Sequence, residues 1–227
     1  MIPRPENPIA LAIDVSDLER AESLARELAP HVGLLKVGLE LAWARGPEAV
    51  RRLAAFGPVF VDAKLHDIPN TVERASANIA RLRVAMFNVH ALGGEAMVAA
   101  AVRGAERGAA DAGVPPPMVL GVTVLSSLSG ESLASSASLA FEARAAGARG
   151  AVVSGEDVST VREVMGEGFT LVVPGVRPAG SNGHDQVRVL TPEEAIEAGA
   201  DYLVVGRAIT ESPDPIGAAR AILSSIR

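Results

Sequence analysis

Apolar residues lie along the chain in short runs, and longer stretches with helical spacing separate them. Residues 9–15 read Ile-Ala-Leu-Ala-Ile-Asp-Val, a run typical of a buried strand, and residues 17–29 carry apolar side chains on one helical face. The pattern predicts strands at 9–15, 33–38, 58–64, 84–89, 118–124, 150–154, 170–173 and 202–205. It predicts helices at 17–29, 46–55, 71–81, 95–111, 133–146, 157–165, 192–198 and 215–226.

Eight successive strand–helix units predict an α/β fold, a (β/α)8 TIM barrel. The strands are Val-, Ile-, Leu- and Ala-rich with weak alternation, as expected where both faces of a parallel sheet are buried. No linker or low-complexity segment interrupts the pattern, so we expect one barrel domain over residues 1–227. A doubly wound open sheet is the alternative, but no Gly-x-Gly-x-x-Gly follows the first strand.

Composition excludes several classes of function. With 27 acidic against 21 basic residues the net charge is −6, which argues against a nucleic-acid partner, and aromatic residues for base stacking make up only 3%. The absence of cysteine excludes disulfides, thiolate metal sites and a cysteine nucleophile. No apolar run reaches membrane-spanning length, and residues 1–8 do not resemble a signal peptide. We therefore expect no membrane partner and a cytoplasmic location.

The third predicted strand carries the most distinctive chemistry. Residues 61–71 read Val-Asp-Ala-Lys-Leu-His-Asp-Ile-Pro-Asn-Thr, and alternation along a strand directs Asp62 and Lys64 to the same side. Asp67 follows at a turn, and Lys36, the only other lysine, lies in the second strand. Flanking carboxylates favour the ammonium form of Lys64, which suits proton donation rather than Schiff-base formation. A buried structural ion pair is the alternative interpretation.

A second polar group follows strands seven and eight, where barrels often bind phosphate. Gly206 allows close backbone approach, Arg207 supplies a bidentate donor, and Arg177 follows the seventh strand. The polar loop 179–186 has the composition of a lid that closes over a ligand. A surface turn is the alternative for the Gly-Arg pair taken alone.

Residues 62–71, Asp-Ala-Lys-Leu-His-Asp-Ile-Pro-Asn-Thr, resemble the signature of the orotidine 5′-phosphate decarboxylase family in its bacterial type 1 form. This ten-residue motif is specific, whereas a Gly-Arg pair alone is not. Further segments resemble the family in order and spacing, at 12–15, 36–40, 88–91, 122–127, 174–177, 185–189 and 204–209. The resemblance covers nearly the whole chain.

The resemblance implies conversion of orotidine 5′-monophosphate to uridine 5′-monophosphate and CO₂ in de novo pyrimidine biosynthesis, with no cofactor and no metal. It implies that Lys64 protonates the C6 carbanion, with Asp62 and Asp67 as its catalytic partners. It also implies a homodimer with shared active sites, in which Asp67 and Thr71 reach into the neighbouring subunit's site. The substrate-binding residues implied are Asp14, Lys36, Asp62, Lys64, Asp67, Ile68, Thr71, Ser126, Arg177, Gln186, Gly206 and Arg207. Ser126 stands where the family more often has threonine, and it keeps the hydroxyl.

Two other functions remain open. One is a sibling barrel with a related Asp-x-Lys-x-x-Asp strand, a sugar-phosphate decarboxylase or aldolase that stabilises an enediolate on Mg²⁺. The extension at 68–71 and Gln186 favour the nucleotide enzyme. The other is a catalytically silent phosphate-binding barrel, against which the set Lys36, Asp62, Lys64 and Asp67 argues.

Overall fold

The computed structural model describes residues 5–124, 135–178 and 190–226. Eight parallel strands close into a barrel, each paired with the next in the sequence and the last paired with the first, which confirms the predicted (β/α)8 architecture. The strands are β1 (Ile9–Ala12), β2 (Leu34–Val37), β3 (Val59–Leu65), β4 (Met86–His90), β5 (Met118–Val122), β6 (Gly150–Val152), β7 (Thr170–Pro174) and β8 (Tyr202–Val205).

Helices follow the strands around the barrel. Those in the described ranges are α1 (Leu18–Leu28), α2 (Leu39–Arg45), α3 (Pro47–Leu53), α4 (Pro69–Ala80), α5 (Gly94–Ala112), α6 (Ser136–Ala145), α7 (Val158–Met165), α8 (Pro192–Glu197), α9 (Arg207–Thr210) and α10 (Pro215–Ser225). None of these helices is long and apolar enough to cross a bilayer.

The segment after β2 differs from the prediction of one helix at 46–55. The structure has two helices there, α2 and α3, separated by Gly46 at φ +63°. Only Leu41 of α2 is buried, and Trp43 is 85% exposed, so α2 lacks the apolar face that helical periodicity detects. The four-residue helix α9 was also not predicted, because it is too short to show a period.

Side chains of the strands alternate between the barrel interior and the surrounding helices. In β4, Met86 packs inside the barrel, whereas Phe87 and Val89 join the core between strands and helices. The interior layer nearest the amino-terminal ends of the strands is apolar and comprises Ala10, Leu34, Phe60, Met86, Leu120 and Val172. Polar side chains replace this layer toward the carboxyl ends, where barrel enzymes carry their active sites.

Candidate active site

Four side chains from neighbouring strands form a row of alternating charges at the carboxyl end of the barrel. Lys36 Nζ lies 3.1 Å from Asp14 Oδ1 and 3.4 Å from Asp62 Oδ2. Lys64 Nζ lies 2.6 Å from Asp62 Oδ1. The side chain of Lys36 is 7% exposed and that of Asp62 is 15% exposed. The structure thus brings together the four residues that the sequence placed at the ends of β1, β2 and β3.

The charge of Asp62 is set by opposing effects. Burial raises the pKa of its carboxyl, but the ammonium groups of Lys36 and Lys64 and the hydrogen bonds from Lys64 and Asn88 outweigh burial and hold that pKa below its ordinary value. Asp62 is therefore ionised at neutral pH. Because the pKa is lowered in the folded state, its contribution to stability is present at neutral pH and is lost as the pH falls through the lowered value.

The backbone of β3 is irregular where it carries these groups. Its register with β4 pairs Val61 with Phe87 and Leu65 with Val89, so three residues of β3 lie opposite the single residue Asn88. Lys64 adopts φ +48°, in the left-handed region. Asp62 and Lys64 therefore meet through a bulge, and not through the simple alternation that the sequence predicted.

Asn88 lies opposite this bulge and is fully buried. Its Oδ1 accepts a hydrogen bond of 2.7 Å from the backbone N–H of Lys64, and its Nδ2 donates one of 2.7 Å to Asp62 Oδ1. Asn88 is a polar residue at the end of a predicted strand and belongs to the segment 88–91 that resembles the family, but the sequence predicted no role for it. The signal available was an amide at an inward position of an apolar strand.

Two histidines follow the lysine–aspartate pair at the ends of β3 and β4. The rings of His66 and His90 stack with centroids 5.4 Å apart. Burial, His66 and Lys64 lower the pKa of His90, and Asp62 opposes them weakly, so His90 is neutral at neutral pH.

A cavity of about 250 Å³ extends from the charged row to the ends of β7 and β8. Its walls include Asp14, Lys36 and Asp62 on one side, and Arg177, Gly206 and Arg207 on the other. A more apolar hollow of about 160 Å³ adjoins it and is lined by Asp62 and Lys64 together with barrel residues such as Phe60, Val122 and Val152. The geometry offers a cationic proton donor beside an apolar hollow, with arginines across the cavity.

Three predicted residues lie away from this row. Asp67, Ile68 and Thr71 are exposed at the start of α4. Asp67 Oδ1 accepts from the backbone N–H of Ile68, 2.6 Å away, and Asp67 forms no ion pair with the two lysines of the described chain. A single chain therefore does not bring Asp67 into the charged row.

Other predictions fall outside the described residues, namely Ser126, Gln186 and the proposed lid at 179–186. Within the ranges that are described, no group of three or more His, Asp or Glu side chains is arranged to hold a metal ion.

The sequence model of the family described as "Orotidine 5'-phosphate decarboxylase / HUMPS family" matches residues 7–222. The chain belongs to this family. This confirms the resemblance that residues 62–71 carry.

Relatives in the family align over almost their whole length. The chain is 50% identical to the orotidine 5′-phosphate decarboxylase of Anaeromyxobacter sp. (strain K), with 98% of this chain and 100% of the relative covered. It is 46% identical to the enzyme of that name from Moorella thermoacetica, with 97% and 92% covered. The crystal structure of the enzyme of that name from Lactobacillus acidophilus matches with a TM-score of 0.83 at 34% identity, and covers 97% of this chain and 99% of its own.

Proposed function

We propose that this chain converts orotidine 5′-monophosphate to uridine 5′-monophosphate and CO₂, as a cytoplasmic step of de novo pyrimidine biosynthesis that uses no cofactor. Family membership and the names of relatives aligned over almost their full length support this reaction. The observation that carries it is the Lys64 ammonium, 2.6 Å from the ionised Asp62 and beside an apolar hollow.

Lys64 is the proposed proton donor. Loss of CO₂ leaves an electron pair at C6 that the pyrimidine ring does not delocalise, so stabilisation must come from a nearby positive charge. The ammonium of Lys64 stabilises that charge and then transfers its proton to C6. Asp62 orients the Lys64 ammonium through their 2.6 Å contact. Asp62 also repels the substrate carboxylate beside it. At roughly 4 Å and an effective dielectric near 20 this repulsion is about 4 kcal/mol, and loss of the carboxylate as CO₂ removes it.

The rest of the nucleotide fits the other walls of the cavity. Asp14 and Lys36 are the proposed ribose partners, since both line the cavity next to Asp62. Arg177, Gly206 and Arg207, which line the opposite side, are the proposed phosphate partners. The family resemblance adds Gln186, which lies outside the described residues. Phosphate binding far from C6 supplies energy that can be used to orient the reacting ring.

We further propose a homodimer in which a second copy of the chain completes each site. Ile68 next to Asp67 is 65% exposed, and Leu39, Trp43 and Leu92 are exposed on the segments that follow β2 and β4. These segments are neighbours around the barrel, because β2, β3 and β4 are adjacent. Apolar side chains grouped beside a site are typical of a protein interface, and a two-fold interface would exchange Asp67 and Thr71 between subunits.

The reaction is tested by mixing the protein, treated with EDTA, with orotidine 5′-monophosphate. We expect absorbance of the orotate chromophore to fall at the same rate as without EDTA. Activity on a sugar phosphate that EDTA abolishes and Mg²⁺ restores would identify the sibling enzyme instead. Binding of the nucleotide with no turnover would identify a silent phosphate-binding barrel.

A further inference from the structure

We propose that Asn88 is a positioning residue for the decarboxylation, holding the backbone of Lys64 and the carboxylate of Asp62 together across the bulge in β3. This inference rests on the proposed function, because it assigns a role in the same reaction.

The first support is the backbone of Lys64. A lysine in the left-handed region is disfavoured, so φ +48° persists only where neighbouring groups hold it. The hydrogen bond from the Lys64 N–H to Asn88 Oδ1, 2.7 Å long, is a direct restraint on that peptide. The direction in which the Lys64 side chain leaves the strand depends on this conformation. Relaxation of the bulge would therefore move the ammonium relative to C6.

The second support is the chemistry that the position requires. Opposite the bulge, the Lys64 N–H needs an acceptor and the Asp62 carboxylate needs a donor. A carboxamide supplies both at once. If the amide were reversed, its NH₂ would face the Lys64 N–H and its carbonyl would face the Asp62 carboxylate. An ionised aspartate would lose the donor, and a leucine of similar shape would lose both partners. Asn88 is fully buried, so water would not replace the lost bonds.

The third support is the position of Asn88 in the strand. It is inward-facing in β4, between Met86 of the apolar interior layer and His90 beside the charged row. A residue needed only for packing would be apolar here, as Met86 is. Asn88 bonds Asp62 and Lys64 of β3. The other ionisable groups that face this pair are Lys36 on β2, Asp14 after β1, and His66 and His90 at the ends of β3 and β4.

Two variants and a matched control test the role. Asn88→Leu keeps the branched shape and removes both hydrogen bonds. Asn88→Asp keeps the acceptor and sets a second carboxylate against Asp62. Phe87→Leu disturbs the neighbouring buried residue, whose side chain packs on the opposite side of β4, away from the charged row. For each protein, kcat and KM would be measured across pH, with the dissociation constant of uridine 5′-monophosphate and the thermal midpoint.

We expect Asn88→Leu to lower kcat roughly 100-fold, the size of effect that a displacement of about 1 Å produces, with little change in KM or product binding. In Asn88→Asp the protonated form of the new carboxyl still accepts from the Lys64 N–H and donates to Asp62, whereas its ionised form loses the donor and repels Asp62, so activity should fall with rising pH over a range where the unmodified protein is flat. Phe87→Leu should lower the thermal midpoint and leave kcat and the pH profile unchanged.

Two results would overturn the role of Asn88. One is a kcat for Asn88→Leu equal to that of Phe87→Leu. The other is a pH profile for Asn88→Asp that matches the unmodified protein, and this second variant decides the matter if the first does not fold. Absence of turnover in the unmodified protein, run alongside, would instead overturn the proposed function and this inference with it.

Discussion

Replacing Lys64 with alanine is expected to lower kcat by roughly 10⁴-fold or more, because it removes both the proton donor and the charge that stabilises the C6 carbanion. Lys36 is not a substitute. Its ammonium lies between Asp14 and Asp62, at 3.1 Å and 3.4 Å, and it is almost fully buried. Uridine 5′-monophosphate should still bind, since the phosphate and ribose partners are unchanged. Single-turnover kinetics and titration calorimetry measure the two effects separately.

A second variant separates charge from proton donation. Lys64→Arg keeps a positive charge, but a guanidinium holds its proton too tightly to transfer it. We expect this variant to bind product and to have a kcat far below that of the unmodified protein, but above that of Lys64→Ala by the part of the effect that the charge supplies. Normal turnover in either variant would contradict the assignment of Lys64.

Two inactive variants are expected to regain activity when they are refolded together. If Asp67 acts in the partner's site, the Lys64→Ala and Asp67→Ala homodimers are each nearly inactive. In a mixed dimer one pocket carries both changes and the other carries none. Random pairing gives roughly half mixed dimers, so about a quarter of all pockets are intact and activity should return to about that fraction.

The matched control is Lys64→Ala refolded with Asp62→Ala. Asp62 lies 2.6 Å from Lys64 of the same chain, so every pocket in these mixed dimers keeps one change and activity should stay low. Recovery in the first mixture and not in the second supports a shared site. If neither mixture recovers, although size measurements show that mixed dimers formed, Asp67 acts in its own subunit.

The fold could be predicted because a (β/α)8 barrel has a strong period. Each buried strand is an apolar run and the longer helices have one apolar face, as β8 and α5 illustrate. Helix α2 was not predicted, because Trp43 and Leu39 face solvent. The helical period is set by side chains that pack on the barrel core, and these two do not.

The candidate site was predictable only in part. The motif at 62–71 placed Asp62 and Lys64 in one pocket, and the structure brings them together with Lys36 and Asp14. The bulge that joins them was not predictable, because a register shift depends on the pairing of β3 with β4 and leaves no period in the sequence. The hydrogen bonds of Asn88 were not predictable either, because its two partners are more than 20 residues away in the chain.

The most direct test of Lys64 as proton donor is the reaction in D₂O, followed to completion with orotidine 5′-monophosphate. The exchangeable protons of the Lys64 ammonium are then deuterium, so the uridine 5′-monophosphate formed should carry one deuterium at C6, with one CO₂ released for each substrate consumed. Lys64→Ala should form none of this product in the same time. If the unmodified protein releases no CO₂, the proposed reaction is wrong. If Lys64→Ala forms C6-labelled product at an undiminished rate, the role of Lys64 is wrong.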